Sequence, residues 1–190
     1  MGVSTGGTRG TAEREVIWHD LECGGYTADL PLWLELAGAA DGRSPADPLL
    51  EIGAGSGRVT LALAQAGHRV TAVDLDSRLL RALGARASGM DVEVVCADAR
   101  TLALGRADFG LCLVPMQTVQ LLGGPDGRAA FMHRARAHLR PGGVLACAIV
   151  SDFECFDCTH GEGGPTPEVA RVGDSDYVSR AIRVAGGEDS

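Results

Sequence analysis

The sequence contains no apolar run approaching the roughly 18 residues that a membrane-crossing helix requires, so no bilayer span is expected. Clustered positive charge is missing as well. The 17 basic residues are outnumbered by 25 acidic ones, the net charge is -8, and the arginines are scattered along the chain. Affinity for a phosphate backbone rests largely on grouped cations, so nucleic-acid binding is not expected. Aromatic residues are scarce at 4%. A core must then be assembled from Ala, Val and Leu, which suits buried parallel strands and the helices that cover them. Met1 to Val16 has no apolar stretch that could act as a signal peptide, and position 6 is Gly where a myristoylation signal has Ser or Thr. The expectation is a flexible tail over 1–16 and a cytoplasmic protein.

Cysteine is present but not arranged for cross-linking. Cys96, Cys112 and Cys147 lie in apolar runs, where a reduced thiol behaves as a small hydrophobe, and this fits a reducing compartment. Cys155 and Cys158, with His160 close by, have a spacing that hints at metal or redox work. A second ligand pair is lacking, so the preferred reading is a loop with two free thiols and no metal site.

At 190 residues the chain has room for one domain with a substantial core. Its expected parts are an arm and helix over 17–47, a core over 48–150 and a C-terminal part over 151–190. Pro31 marks the first turn of a helix carrying Leu32, Trp33, Leu34, Leu36 and Ala37. Beyond the turn-rich segment 41–48, strands are expected near 49–52, 69–74, 92–96, 108–114 and 144–150. Helices are expected near 57–66, 77–87 and 127–139, the last with Phe131, Ala135 and Leu139 on its buried face, and a short one around Thr101 to Leu104 between the third and fourth strands. Tyr177 to Val184 alternates like a sixth strand. Right-handed crossovers between such elements build a parallel sheet with helices on both faces.

The most informative segment is Glu51-Ile52-Gly53-Ala54-Gly55-Ser56-Gly57, at the turn from the first strand into a helix. Glycines there let the chain turn sharply and let a ligand approach the main chain. A dinucleotide fingerprint would require Gly or Ala at 58, where this chain has Arg58. A pyrophosphate site is therefore disfavoured. Seventeen positions beyond Gly57, the run Arg69 to Asp74 ends on a carboxylate, which can accept hydrogen bonds from both hydroxyls of a ribose. A further strand, Val92 to Cys96, leads into Ala97-Asp98, and Leu139-Arg140-Pro141-Gly142-Gly143 precedes the run Val144 to Val150.

Taken in order, these motifs resemble the class I S-adenosylmethionine-dependent methyltransferases, over residues 48 to 150. The resemblance implies an α/β, Rossmann-like three-layer sandwich with a mostly parallel sheet. That family's sheet ordinarily ends with a strand inserted antiparallel beside the fifth; it is expected to be lacking here, leaving a sheet edge open to oligomerisation. The implied cofactor is S-adenosylmethionine. Glu51 with Gly53, Ala54, Gly55 and Gly57 would surround its methionine part, Asp74 the ribose, and Asp98 with Ala99 the adenine. Leu75, Pro115 and Gln117 complete the expected cofactor set. Asp98 is equally readable as a helix cap, and Asp76 is read as a cap of the second core helix. Met116 and Gln120 are candidates for the reaction pocket, or for a plain helix start. His19 and Tyr26 sit in the arm, as lid or base residues or simply as packed side chains.

Methyl transfer from a sulfonium demands in-line positioning and exclusion of water more than a catalytic triad, so no catalytic residue is singled out. The segment after the fourth strand lacks the Asn- or Asp-Pro-Pro-aromatic tetrad of the branch that methylates nucleic-acid amino groups. A small-molecule acceptor is the expectation. Two alternatives stay open: a truncated, silent cofactor-binding or interaction module of the same fold, and a nicotinamide-dependent oxidoreductase, which Arg58 opposes.

Overall fold

The computed structural model describes residues 6–38, 44, 46–151, 156–159 and 165–184. The elements run α1 (Gly6–His19), a π-helical turn (Asp20–Gly24), α2 (Leu30–Ala37), β1 (Leu49–Ile52), α3 (Arg58–Gln65), β2 (Val70–Asp74), α4 (Ser77–Arg86), β3 (Val92–Cys96) and β4 (Phe109–Val114). A short 3-10 turn (Thr118–Leu121), α5 (Gly124–His138), β5 (Leu139–Cys147) and four short strands, β6 (Phe156–Asp157), β7 (Glu168–Val172), β8 (Ser175–Ser179) and β9 (Arg183–Val184), follow. The chain divides into two compact units: a larger one, Tyr26–Ile149, and a smaller one made from residues before 26 and after 149.

The larger unit is built on a five-stranded parallel sheet in the order β3-β2-β1-β4-β5. Alternation along the strands sorts the core into two faces. Leu49, Val70, Leu111 and Leu113 pack with Trp33 and Ala37 of α2 and with Val59 and Leu63 of α3. Leu50, Ile52, Val73, Cys112 and Val114 point the other way, to Phe131 and Ala135 of α5 and to Ala99 and Leu102. A third cluster sets Leu80, Leu83 and Ala87 against Ala54 and Ala72. All six residues of β4 are buried, and the side chains of Phe109, Leu111, Leu113 and Val114 contribute about 1.5–3 kcal/mol each. The chain passes from β3 back across to β4, so the winding direction reverses between β1 and β4, where an open α/β sheet leaves a crevice.

The structure corrects several expectations. Residues 6–19 of the Gly/Thr-rich opening form a helix, in which Glu13 to Glu15 supply good helix formers. Nothing helical links β3 to β4. Leu139 does not close α5 but opens β5, paired with Phe109. A bulge around Gly142 (φ 77°) then precedes the pairing of Leu111 with Val144. The expected sixth strand is not part of the sheet. Residues 175–179 instead fold back on 168–172 as a hairpin, turning at Gly173-Asp174 with Gly173 at φ 60°. Within the smaller unit Trp18 meets Tyr177 edge to face, with centroids 5.4 Å apart. The sheet therefore ends at β5 among the described residues. Cys155 and His160 lie outside the described residues, while Cys158 is a buried free thiol.

Candidate cofactor site

Four parallel strands, adjacent in the sheet, bring the segments after Ile52, Val73, Cys96 and Val114 to one edge. The glycine turn leaves β1 there, with Gly53, Gly55 and Gly57 at φ 75°, 55° and 104°. Positive φ is inexpensive only for glycine. Two of these glycines also make room for protein. A Cβ on Gly53 would fall 2.5 Å from Thr118 Cγ2, and one on Gly57 would fall 2.3 Å from Leu83 Cδ1.

The hydrogen bonds of this turn decide what it can hold. The Gly53 and Ala54 amides both donate to the Val73 carbonyl, at 2.9 and 3.1 Å, and the Gly57 amide donates to the Ala54 carbonyl at 3.0 Å. Gly55 N–H donates to Asp74 Oδ2 at 2.8 Å. A phosphate-binding loop aims such amides at its ligand, whereas these four are spent inside the protein. Asp74 Oδ1 accepts the Asp76 amide at 2.8 Å. A carboxylate has about four acceptor sites, so Asp74 retains the capacity for two further donors, as a ribose diol would supply.

Glu51 sits one strand position before the turn and is 1% exposed. Thr60 Oγ1, on the inward face of α3, donates to Glu51 Oε2 at 2.6 Å. Burial pushes the Glu51 carboxyl up to about 7; Thr60 and the Arg58 charge oppose the shift and Asp74 adds to it. Arg58 is itself committed. Its guanidinium forks onto Asp29, with Nη2 to Oδ2 at 2.9 Å and Nη1 to Oδ1, and Nη1 also donates to the Tyr26 carbonyl at 2.7 Å. Trp33 Nε1 donates to the same Asp29 carboxylate at 2.8 Å, tying the start of α2 to the start of α3. Burial would raise the Asp29 carboxyl, but the Arg58 and Trp33 hydrogen bonds and the Arg58 charge outweigh it and hold it below the usual value.

The remaining expected residues are spread along the same edge. Leu75 is 67% exposed, whereas Ala99 and Pro115 are buried and Gln117 is exposed. Asp98 accepts the Arg100 amide at 2.8 Å and pairs with the Arg100 guanidinium, which holds its carboxyl below the ordinary value. It thus stabilises its own turn. Asp76 is the cap of α4, accepting the Arg78 amide at 2.8 Å. Met116 has left-handed backbone (φ 55°), rare for a side chain of that size, in the segment that brings Thr118 against Gly53. Tyr26 lies beside Arg58, 5.4 Å from ring centroid to guanidinium carbon, and His19 ends α1 in the smaller unit.

Sequence reasoning missed Thr60, Thr118 and the Asp29–Arg58 pair. Thr60 carried a signal, as a polar residue between Val59 and Leu63 on the apolar face of a helix. Thr118 carried none.

Residues 49–143 match the family model described as "Methyltransferase domain". The chain belongs to the methyltransferase-domain family. This methyltransferase domain is 32% identical over 129 residues to the cypemycin N-terminal methyltransferase of Streptomyces sp., covering 67% of this chain and 51% of that protein. Among solved structures, the CcbJ methyltransferase from Streptomyces caelestis superposes with a TM-score of 0.56 at 25% identity, over 83% of this chain and 62% of that one. The glycopeptide N-methyltransferase MtfA, solved with S-adenosyl-L-methionine, shares the fold with a TM-score of 0.53 at 22% identity, over 83% and 68% of the two chains. The methyltransferase domain spans about half or less of the length of the curated relatives it matches.

Proposed function

We propose that the chain binds S-adenosylmethionine at the carboxyl edge of β1, β2, β3 and β4 and transfers its methyl group to a small-molecule acceptor. The observation that carries the cofactor assignment is the pairing of a spent glycine turn with two carboxylates, Glu51 and Asp74, where a dinucleotide site would offer free amides to a diphosphate. Such a turn suits a ligand with a ribose and net positive charge and repels a diphosphate. When bound, the cofactor supplies a methyl group on a sulfonium whose departure leaves a neutral thioether.

The protein's part is to hold and to dry the site. Asp74 would accept the ribose hydroxyls with its remaining lone pairs while its bonds to Gly55 and Asp76 fix its rotamer. Ala99 offers a buried surface for the adenine ring, with Asp98 and Leu75 at its rim. Pro115, Met116 and Gln117 would line the methyl end, the strained backbone of Met116 setting the segment's direction. No general base is assigned, because an amine acceptor needs only to present its lone pair in line with the methyl group. The names of the relatives support an acceptor of that kind, since two of them are N-methyltransferases. The net charge of -8 speaks against an RNA acceptor. Among the described residues no helix is long and apolar enough to cross a membrane.

Calorimetric titration with S-adenosylhomocysteine tests the reading. Micromolar binding is expected, weakened about 10- to 100-fold in Asp74→Asn by the loss of charge-assisted hydrogen bonds worth about 1.5–3 kcal/mol. Tighter binding of NADH than of S-adenosylhomocysteine would overturn it. Cofactor binding without turnover on any amine acceptor would favour a non-catalytic module of the same fold.

A further inference from the structure

Glu51 is a buried acid with no cation of its own among the described residues. The nearest positive group, Arg58 at the start of α3, is forked onto Asp29 and further bound to the Tyr26 carbonyl, so its charge is already matched. On the opposite flank β2 presents Asp74, a like charge. The strand neighbours on either side of Glu51 are Ala72 and Leu113, which offer no ionisable group. Among the described residues, only the Thr60 hydroxyl donates to the Glu51 carboxyl. A carboxylate in such a place is costly unless a compensating charge arrives, and the inexpensive state of the empty site is the protonated acid.

We infer that Glu51 exchanges its proton for the positive charge of the ligand, so that binding at the glycine turn expels a proton from the protein. The inference rests on the cofactor reading above. The α-ammonium that S-adenosylmethionine and S-adenosylhomocysteine share would act as the missing counter-charge. The exchange balances: the carboxyl O–H breaks, its electron pair stays on Glu51, and the proton passes to solvent while the ligand's cation takes its place. Thr60 then has a second role beyond packing. Its O–H donates to the carboxylate in the charged form and so sets the pH at which the exchange takes place.

The experiment is calorimetry of the intact chain with S-adenosylhomocysteine in buffers of different ionisation enthalpy, between pH 6 and pH 8.5. Starting from a Glu51 that titrates near 7, about 0.9 proton should be released per ligand at pH 6, about 0.5 at pH 7 and almost none at pH 8.5. Affinity should fall about fivefold from pH 7 to pH 6. 5′-Methylthioadenosine, which has neither ammonium nor sulfonium, should release no proton. Glu51→Gln should abolish both the release and the pH dependence. Thr60→Val should move the release to higher pH, a change that a purely structural hydroxyl would not produce, and it serves as the independent variant if Glu51→Gln does not fold. Binding of S-adenosylhomocysteine with the same heat in every buffer at pH 6 and 7 would overturn the inference and leave the cofactor reading standing. Equal proton release with 5′-methylthioadenosine would overturn it too. Failure of a folded chain to bind S-adenosylhomocysteine at all would refute the cofactor reading, and the inference with it.

Discussion

Gly57→Ala is expected to be far more costly than its small size suggests. Gly57 lies at φ 104° and ψ 25°, immediately before α3. Left-handed backbone costs an L-residue about 1–2 kcal/mol. The new methyl carbon would also lie 2.3 Å from Leu83 Cδ1 and 3.3 Å from Leu61 Cγ. Leu83 is wholly buried and cannot swing into solvent, so an overpacking cost of about 1–3 kcal/mol is added. The sum, about 2–5 kcal/mol, is a large share of the roughly 5–15 kcal/mol that holds a typical domain folded. Gly67 supplies the control, since it has φ 90° but nothing within 4 Å of where a Cβ would stand, so Gly67→Ala carries the backbone cost alone. Urea unfolding followed by the fluorescence of the buried Trp33 measures both variants. If Gly57→Ala lost no more stability than Gly67→Ala, the claim that Leu83 fills the space beside Gly57 would be wrong.

Two further predictions concern charge. Because burial raises the folded-state value of Glu51 from 4.5 to about 7, the folded protein holds a proton that the unfolded chain gives up in that window; stability should fall by about 3 kcal/mol as pH rises from 4.5 to beyond 7. Glu51→Gln should lack this slope, and parallel stability curves for the two proteins between pH 5 and pH 8 would refute the assignment. Asp29→Ala should cost about 3 kcal/mol in urea unfolding, because it strands an Arg58 side chain that is 9% exposed. Most of that loss should return in the double variant Asp29→Leu, Arg58→Met; no recovery would mean that Asp29 acts through Trp33 alone.

The core over 49–114 was legible because its signals are local. Short apolar runs end on glycine or an acid, and the positions of β1, β2, β3 and β4 follow to within a residue or so. That Glu51 lies within β1 and Asp74 closes β2 was legible for the same reason. What stayed hidden depends on contacts far apart in sequence. Arg58 read as a residue that spoils a dinucleotide motif, while its partner Asp29 stands 29 positions earlier. The glycines read as space for a ligand, yet at 53 and 57 the space is filled by Thr118 and Leu83. Leu139 fitted the helical spacing of Phe131 and Ala135, and only its pairing with Phe109 assigns it to β5. Residues 177–184 alternate as a strand should, but alternation does not name a partner, and the two-residue turn at Gly173-Asp174 brings the segment back on its own neighbour.

The smaller unit draws on both ends of the chain, and that fixes when it can form. Trp18 and Tyr177 are 159 positions apart, and closing so long a loop from an unfolded chain costs about 4–5 kcal/mol, against about 0.5–1.5 kcal/mol returned by the aromatic pair. Once Tyr26–Ile149 has folded, the distance between the two ends of that unit is set and most of the closure cost has been met by the sheet. Loop-closure entropy then favours one order of assembly, the sheet first and the terminal segments after it. On a ribosome the helix over 6–19 would wait until residue 179 had emerged before meeting its hairpin. Native-state hydrogen exchange should accordingly find the amides of α1 and of β7 and β8 opening together, ahead of β1 and β4; independent opening of the two terminal segments would refute this ordering.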